Sequence, residues 1–592
     1  MGAAGAHGAI KDLPELPNDL FLLIISYLSP QDSIICRRVS KNWNSAFTTE
    51  NASWTLMKRH FPRCREIRNA ATAVSAPPSS NPAAAGNKQR GPPDWTSVFA
   101  KVARRYHYLR SARPREIEKI NVIDEKTHAH LRRGVEPWDR VLRFNENTAP
   151  FQYRDAVWCY DDGLLMYPDA AAPGRYVAYD LETQNRFAVP FDGADRTVRR
   201  VRLACGSLVV EWCEREAYHQ LNDQETVHRH FATVFDVRRF SSRSPSPSTP
   251  KLNLVRSVSA TDSTAWTITF RSEWKIHFLG LPISRHDRFF SAHNSTHYAL
   301  YLWQPNRSPW GEEEPLEQLT VWDISFPSAY RPSLDPTGAR KPPDRDLGPV
   351  VVRRLSWRDL DFLGLRQRHT PRIKELRVDE GNVYVHEEDH RWLAGMQASM
   401  APPRHHRVKC TGIPVVGMGP RWVEECCADG DVHMSFCPRS GSVAKLRRDE
   451  EASDHPSGSA ATSSSSSLSD PSSSPSGREG DQNSVTYTNH PSQAPCWRHE
   501  EFPYLTVSEV VDAKAGIRIV ARQCFMMETL SVFIVPRISV QEAGLDGEGE
   551  ESGEVRFADG MWAELMGKGV ICGDERWVVG EDGDGRVTVV RM

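Results

Sequence analysis

The sequence predicts a multidomain chain: a small all-α module of three helices, then a large, mainly-β C-terminal domain, an irregular β-propeller with disordered insertions. Three observations predict it. The chain has 592 residues, too many for one compact core. Its most apolar short run, Leu20 to Ile25, follows helix-starting residues near the N-terminus, in a chain whose mean hydropathy is −0.52. Downstream of about Ile117, short runs rich in Val, Ile, Tyr, Phe and Trp recur between Gly, Asp and Asn, as many short antiparallel strands would require.

The helical module comes first. Pro17, Asn18 and Asp19 open a helix with a polar cap and an early acid. That helix presents Leu20, Ile24 and Leu28 at i, i+4 and i+8, and Phe21, Leu22, Leu23, Ile25 and Tyr27 fill most of its remaining circumference. An ordinary surface helix keeps one polar face. Ser29-Pro30-Gln31-Asp32 then supplies a cap, a Pro at the first helical position and an acid in the first turn, ahead of Ile34, Ile35 and Val39. A third segment from Ser40 sets Trp43 and Phe47 one turn apart, and Trp54, Leu56 and Phe61 follow. A module of roughly 45 residues cannot bury so apolar a helix alone. Each large side chain left in water forgoes about 1.5–3 kcal/mol. One face is therefore expected to pack internally while the other meets a partner; burial under the β-domain is the alternative.

The stretch Leu16 to Trp43 resembles the F-box, whose pattern is Leu-Pro, a spaced Leu, Ile and Leu, an acid, then Val-Ser/Cys-Lys-x-Trp. Those positions are Leu16, Pro17, Leu20, Ile24, Leu28, Asp32, Val39, Ser40, Lys41 and Trp43. Ser33 stands where the family more often carries Leu, with Ile34 beside it to take that place. The segment from Asp94 to Glu116 also resembles the basic helix that follows the box in many F-box proteins of filamentous fungi.

The resemblance implies a three-helix module that docks on the Skp-family adaptor of a cullin–RING (SCF-type) ubiquitin ligase, while the C-terminal domain holds a protein substrate. It carries Leu16, Pro17, Leu20, Ile24, Leu28, Ile34, Val39 and Trp43 over as adaptor-facing and core positions, the two sets not separated. The expected interface is on the order of 1,600 Å². The implied subunit is non-catalytic and has no cofactor or metal. An F-box protein acting in assembly or trafficking without ubiquitylation is the alternative.

Composition divides the chain into a flexible tail (1–12), the F-box module (13–60), a basic helical linker (61–116) with a disordered loop at 75–94, and the β-rich domain (117–592). Insertions at 241–262 and 447–495 are rich in Ser and Pro and cannot offset the entropy of ordering; Arg331 to Arg345 reads the same way. Three strands share an ending of aromatic, Asp, aliphatic: Tyr179-Asp180-Leu181, Phe235-Asp236-Val237 and Trp322-Asp323-Ile324. Radial repetition of small sheets accounts for these endings and protects strand edges; a large β-sandwich or a split β-domain is the alternative. The final run, Arg586 to Met592, is expected to pair with the first blade and close the ring.

Other constellations point elsewhere. His386-Glu-Glu-Asp-His390 matches H-E-x-x-H, the distant zinc-hydrolase alternative, but that chemistry needs a helix and the preceding residues alternate as a strand does. Cys410, Cys426, Cys427, His433 and Cys437 lack a paired C-x-x-C knuckle. Residues 58–115 hold 13 Lys or Arg against two acids, yet Val98, Phe99, Val102, Tyr106 and Leu109 form one apolar stripe. A packed helix with a solvated basic face is expected there rather than a nucleic-acid contact. The formal net charge of −2 and an apolar run far short of the ~20 residues that span a bilayer argue against a nucleic-acid or membrane role. The scattered cysteines fit reduced thiols, and the expected location is the cytoplasm, the nucleus or both.

Overall fold

A computed structural model describes residues 12–75, 94–122, 157–220, 226–241, 264–276, 283, 289–304, 314–341, 348–368, 371–392, 404–417, 422–430, 505–524, 527–534, 554–567 and 569–592. The N-terminal block is helical: α1 (Asn18–Ile25), α2 (Pro30–Cys36), α3 (Lys41–Phe47), α4 (Glu50–His60), α5 (Arg65–Ser75) and α6 (Trp95–Ser111). Polar caps set four of the starts. Ser29, Ser40 and Thr49 accept the backbone N–H of Asp32, Trp43 and Ala52, and Asp94 accepts those of Thr96 and Ser97. Each satisfies a donor that the first helical turn leaves open.

Helix α1 is shorter than its apolar periodicity. It ends at Ile25, and the Ser26 hydroxyl donates back to the Leu23 carbonyl at 2.6 Å. Leu28 therefore sits in the following turn, not on a third helical turn above Leu20 and Ile24. The expected stripe on α6 does face inward: Phe99, Val102, Tyr106 and Leu109 are buried and Val98 is half-buried. Its basic side chains are not all solvated, because Arg105 turns inward between two carboxylates.

Beyond α6 the chain builds six four-stranded antiparallel sheets, the blades of a propeller. Blade 1 comprises Cys159–Asp161, Leu164–Pro168, Tyr176–Asp180 and Arg186–Ala188. Blade 2 is Arg196–Ala204, Ser207–Glu214, His230–Ser241 and Thr264–Lys275. Blade 3 is Phe289–His293, His297–Gln304, Leu316–Asp323 and Val350–Leu355; blade 4 is Ile373–Val378, Asn382–Trp392, Arg404–Pro414 and Trp422–Gly430. Blade 5 is Leu505–Asp512, Ile517–Cys524, Met527–Ile534 and Glu554–Arg556. Blade 6 is Cys572–Gly573, Trp577–Glu581, Arg586–Arg591 and the domain's first strand, Glu116–Asn121. First strands of neighbouring blades lie side by side, so they are the innermost. Two short helices, α7 (Trp357–Phe362) and α8 (Gly560–Leu565), occupy connections between blades.

The final strand closes the ring. Arg586–Arg591 pairs along its length with Glu116–Asn121, so its partner is the domain's first strand, built into blade 6, rather than a strand of blade 1. Polar ties join that blade to blade 1: Trp158 donates to Glu581 at 3.0 Å and Tyr160 to Asp574 at 2.8 Å.

The aromatic-Asp-aliphatic endings occupy one structural position. Asp180 and Asp323 end the third strand of their blades and Asp236 lies midway along a longer one, each opposite the first residue of the second strand. The next residue's N–H then donates to the carbonyl just before that second strand: Leu181 to Gly163, Val237 to Gly206 and Ile324 to Thr296, at 2.9, 2.9 and 2.7 Å. Val415 makes the same bond to Gly381 in blade 4, at 2.8 Å. Because alternate strand residues share a face, aromatic and aliphatic point together into one gap between blades. Tyr179 and Leu181 fill the blade 6–blade 1 core, Phe235 and Val237 that of blades 1 and 2, Trp322 and Ile324 that of blades 2 and 3. Ile413 and Val415 do so between blades 3 and 4. In blades 1 and 2 the hairpin ahead of this position turns on Asp162-Gly163 and Cys205-Gly206. All four of those residues have positive φ, as a two-residue type I′ turn demands.

One expected disordered segment is ordered where it is described. Asp335 is buried and accepts the N–H of Arg340 at 2.7 Å and the Tyr330 hydroxyl at 3.2 Å. The Ser333 N–H donates to Glu273 of blade 2 at 3.0 Å, and Arg331 stacks over Phe270 at 4.0 Å. Side-chain bonds to backbone order residues 331–341 without an apolar core of their own. The other expected disordered stretches, the insertions 241–262 and 447–495 and the loop 75–94, lie outside the described residues apart from the segment ends at Ser75, Asp94 and Ser241. Among the described residues no helix is long and apolar enough to cross a membrane.

Trp322→Ala is expected to cost about 3–5 kcal/mol in a urea melt by opening a cavity between blades 2 and 3. The same change at exposed Trp357 should cost about 1 kcal/mol or less.

Candidate docking surface and its anchorage

The two sides of α1 have opposite environments. Phe21 and Ile25, one turn apart, are buried; Phe21 meets the edge of Phe47 at 5.3 Å, and Trp43 stacks on Phe47 at 5.7 Å. Leu20, Leu23 and Ile24 face solvent, as do Tyr27 after the helix and Ile35 and Val39 on and after α2. Tyr27 is 76% exposed while Ile25 is 0%. Six large apolar side chains are thus exposed on two short helices and the turns that follow them, against the usual pattern for a helix of this length.

The eight residues singled out in the sequence divide between these environments. Pro17, Leu20, Ile24 and Val39 are exposed. Leu16, Leu28, Ile34 and Trp43 are half-buried and pack against the core. Leu23, Tyr27 and Ile35 belong to the open surface and were not singled out. Their periodicity could have indicated it: Leu20, Leu23, Ile24 and Tyr27 run i, i+3, i+4, i+7, on the side away from Phe21 and Ile25. Ser33, the departure from the F-box pattern, is fully buried and donates to the Ser29 carbonyl at 3.0 Å. The small residue lets α2 sit close, and Ile34 is half-buried beside it. Between α2 and α6 lies a groove of about 520 Å³, lined by Ile34, Ile35, Phe61 and Ala103, with Arg104, His107 and Arg110.

Helices α1 to α3 do not form a separate core. Phe21, Ile25, Phe47, Leu56, Phe99, Val102 and Leu109 belong to one continuous apolar cluster with Ile517, Ile519 and Leu530 of blade 5, Leu565 of α8 and Val578 and Val590 of blade 6. Polar bonds complete the junction. Glu575, 1% exposed in the turn between the first two strands of blade 6, accepts the Arg65 N–H at 2.8 Å and the Tyr106 hydroxyl at 2.9 Å. Arg105 lies 3.6 Å from Glu575 and donates twice to Glu66, at 3.0 and 2.8 Å. Burial opposes the Arg105 charge, but Glu575 and Glu66 outweigh it and raise its pKa. Burial and then Glu575 push the Tyr106 hydroxyl well up, so it stays a donor. Arg65 also pairs with Asp162 of blade 1.

Beside this junction is a polar cleft of about 510 Å³ where α5 meets blades 5, 6 and 1. Asp161 lines it. Burial, then the charge of Asp162, raise its carboxyl pKa to about 6, against backbone N–H groups of Gly206 and Cys205 that lower it.

The H-E-x-x-H sequence lies within a strand, Asn382–Trp392, paired throughout with Arg404–Pro414; no turn interrupts it. On a strand, residues four apart are ~13 Å apart, whereas two histidines on one zinc each sit ~2 Å from it. The buried His386 instead faces Cys410, with Nε2 to Sγ at 3.5 Å. Cys426 and Cys427 lie on the outer strand of blade 4, and His433 and Cys437 are outside the described residues. Among the described residues no group of three or more His, Cys, Asp or Glu is placed to hold a metal.

A helical block with exposed apolar side chains is built onto a six-bladed propeller. The family model of the F-box domain matches residues 13–52, which span α1 to α3 and the start of α4. The chain is an F-box protein with a C-terminal β-propeller. F-box domains generally bind Skp-family adaptors, and this architecture is typical of non-catalytic adaptors. No curated protein matches the chain.

Two outcomes follow from these environments. Ile25→Ala should destabilise the fold by about 2–5 kcal/mol, whereas Leu23→Ser and Tyr27→Ser should stay within about 0.5 kcal/mol, read by thermal melting. Asp161 adds stability while protonated: the contribution is full below the unfolded-state pKa of about 4 and is lost as pH rises through about 6. Asp161→Asn should therefore stabilise the protein by on the order of 2 kcal/mol at pH 7 and hardly at all at pH 4.

Proposed function

We propose that this protein is the substrate-recruiting subunit of an SCF-type ubiquitin ligase. Its helical block binds a Skp-family adaptor and, through it, a cullin, and its propeller holds a protein substrate. The observation that carries the reading is the open apolar face of Leu20, Leu23, Ile24, Tyr27, Ile35 and Val39 on a module matched as an F-box. Covering that face removes it from water at about 25 cal/mol per Å², and a groove on a partner is the natural cover for two short helices. The mechanism is proximity. A bound substrate sees the charged ubiquitin-conjugating enzyme at a raised effective concentration, with no chemistry asked of this chain. Such a subunit works where its ligase does, in the cytoplasm or nucleus.

Co-expression with a Skp-family adaptor tests the reading. Wild type should co-purify with the adaptor in equal amounts, and Leu20→Asp/Ile24→Asp should bind at least ~30-fold more weakly, as loss of a hot spot implies, with an unchanged melting temperature. A folded wild-type protein that captures no adaptor would overturn it. A cullin in the pull-down, with a target that accumulates when the chain is removed, separates ligase action from a purely structural assembly.

A further inference from the structure

We propose that Glu575 is a positioning residue that holds the adaptor-docking helices at one fixed angle to the propeller, setting where a bound substrate stands relative to the ligase; its functional half rests on the reading just given. The apolar junction cannot do this alone, because apolar burial is non-directional and helices packed by it can turn or slide. A buried carboxylate bonded to several donors leaves no such freedom. Glu575 binds two separate elements of the helical block: the Arg65 N–H at the start of α5, at 2.8 Å, and the Tyr106 hydroxyl on α6, at 2.9 Å. The Arg105 guanidinium adds its charge from 3.6 Å.

Its own place is rigid. Asp574 on one side accepts the Tyr160 hydroxyl of blade 1 at 2.8 Å, and Arg576 on the other pairs with Asp574 at 2.7 Å and Asp162 at 3.4 Å. Three consecutive residues thus clamp blade 6 to blade 1 and both to the helices. The block is tied a second time by the chain itself, since the Arg115 N–H, just past α6, donates to Arg591 at 2.8 Å as the backbone enters blade 6. With the Arg65–Asp162 pair to blade 1, these ties at separate points stop a pivot that a single one would allow.

Glu575→Gln keeps the size and one acceptor but removes the charge and places an NH2 against donors. Amide exchange on the full chain should then run on the order of ten- to a hundredfold faster in α5 and α6, the factor expected for a lost charge-assisted bond. Rates in α1 to α3 and blades 1 to 4 should stay as in wild type, as should adaptor affinity. In the reconstituted ligase, the lysines of this chain that receive ubiquitin should spread from a narrow set to a broad one. Tyr106→Phe, which removes a single bond, should move both readouts the same way by less, and carries the comparison if Glu575→Gln fails to fold. Unchanged exchange in α5 and α6 overturns the proposal. Faster exchange with an unchanged lysine pattern also overturns it, leaving Glu575 a structural residue. A wild type that binds no adaptor sinks the ligase reading instead, and the exchange data still decide whether Glu575 holds the angle.

Discussion

The apolar wedge between neighbouring blades is the interaction on which the rest depends. A single four-stranded sheet leaves both its faces open to water, and these blades carry apolar residues on faces that must be covered. Here each blade from the first to the fourth projects an aromatic or Ile and an aliphatic residue, two positions apart, into the gap before it, as with Trp322 and Ile324 beside Trp274 and Tyr298. The backbone bond that follows locks the strand end to its own hairpin, so the wedge cannot swing away. Ring closure by Glu116–Asn121 lets the same packing operate at the seam, where Tyr179 and Leu181 meet Trp577 and Val587.

The gap between blades 5 and 6 is filled differently. Blade residues Ile519, Leu530, Val578 and Val590 share their core with α8 and with the buried sides of α4 and α6. The helical block is thereby part of the propeller's packing. Burial of Phe99 and Leu109 draws α6 down, and once it is down the Arg105 guanidinium must enter the interior with it, paired on one side with the half-buried Glu66 of α5. An unpaired charge there would be costly, and Glu575 meets that demand. The direction of the junction follows from the polar groups, its strength from the apolar ones.

That arrangement also accounts for the open face of α1 and α2. Their inner residues, Phe21 and Ile25, are used by the shared core. The helices are too short and too tightly capped at Ser26 and Ser29 to rotate and hide the outer ones. An apolar run that reads as nearly uniform in sequence is split by its neighbours into a buried half and an exposed half.

Sequence by itself determined the first three helical starts, the F-box register from Leu16 to Trp43 and the middle strands of most blades, but not their inner and outer strands. Caps, strand alternation and turn residues act over a few positions and leave local marks. It also carried the repeated aromatic-Asp-aliphatic position, because each copy solves the same local packing problem. Tertiary structure alone decided which of Leu20, Phe21, Ile24 and Ile25 face inward, since all are apolar and only contacts with α3 and α4 tell them apart. It decided that residues 331–341 are ordered, through bonds to blade 2 that composition does not record. It decided, too, the meeting of Arg65, Tyr106 and Glu575, 469 residues apart in the second pair. No local pattern encodes such a contact; it exists because a closed ring brings the end of the chain back beneath its beginning.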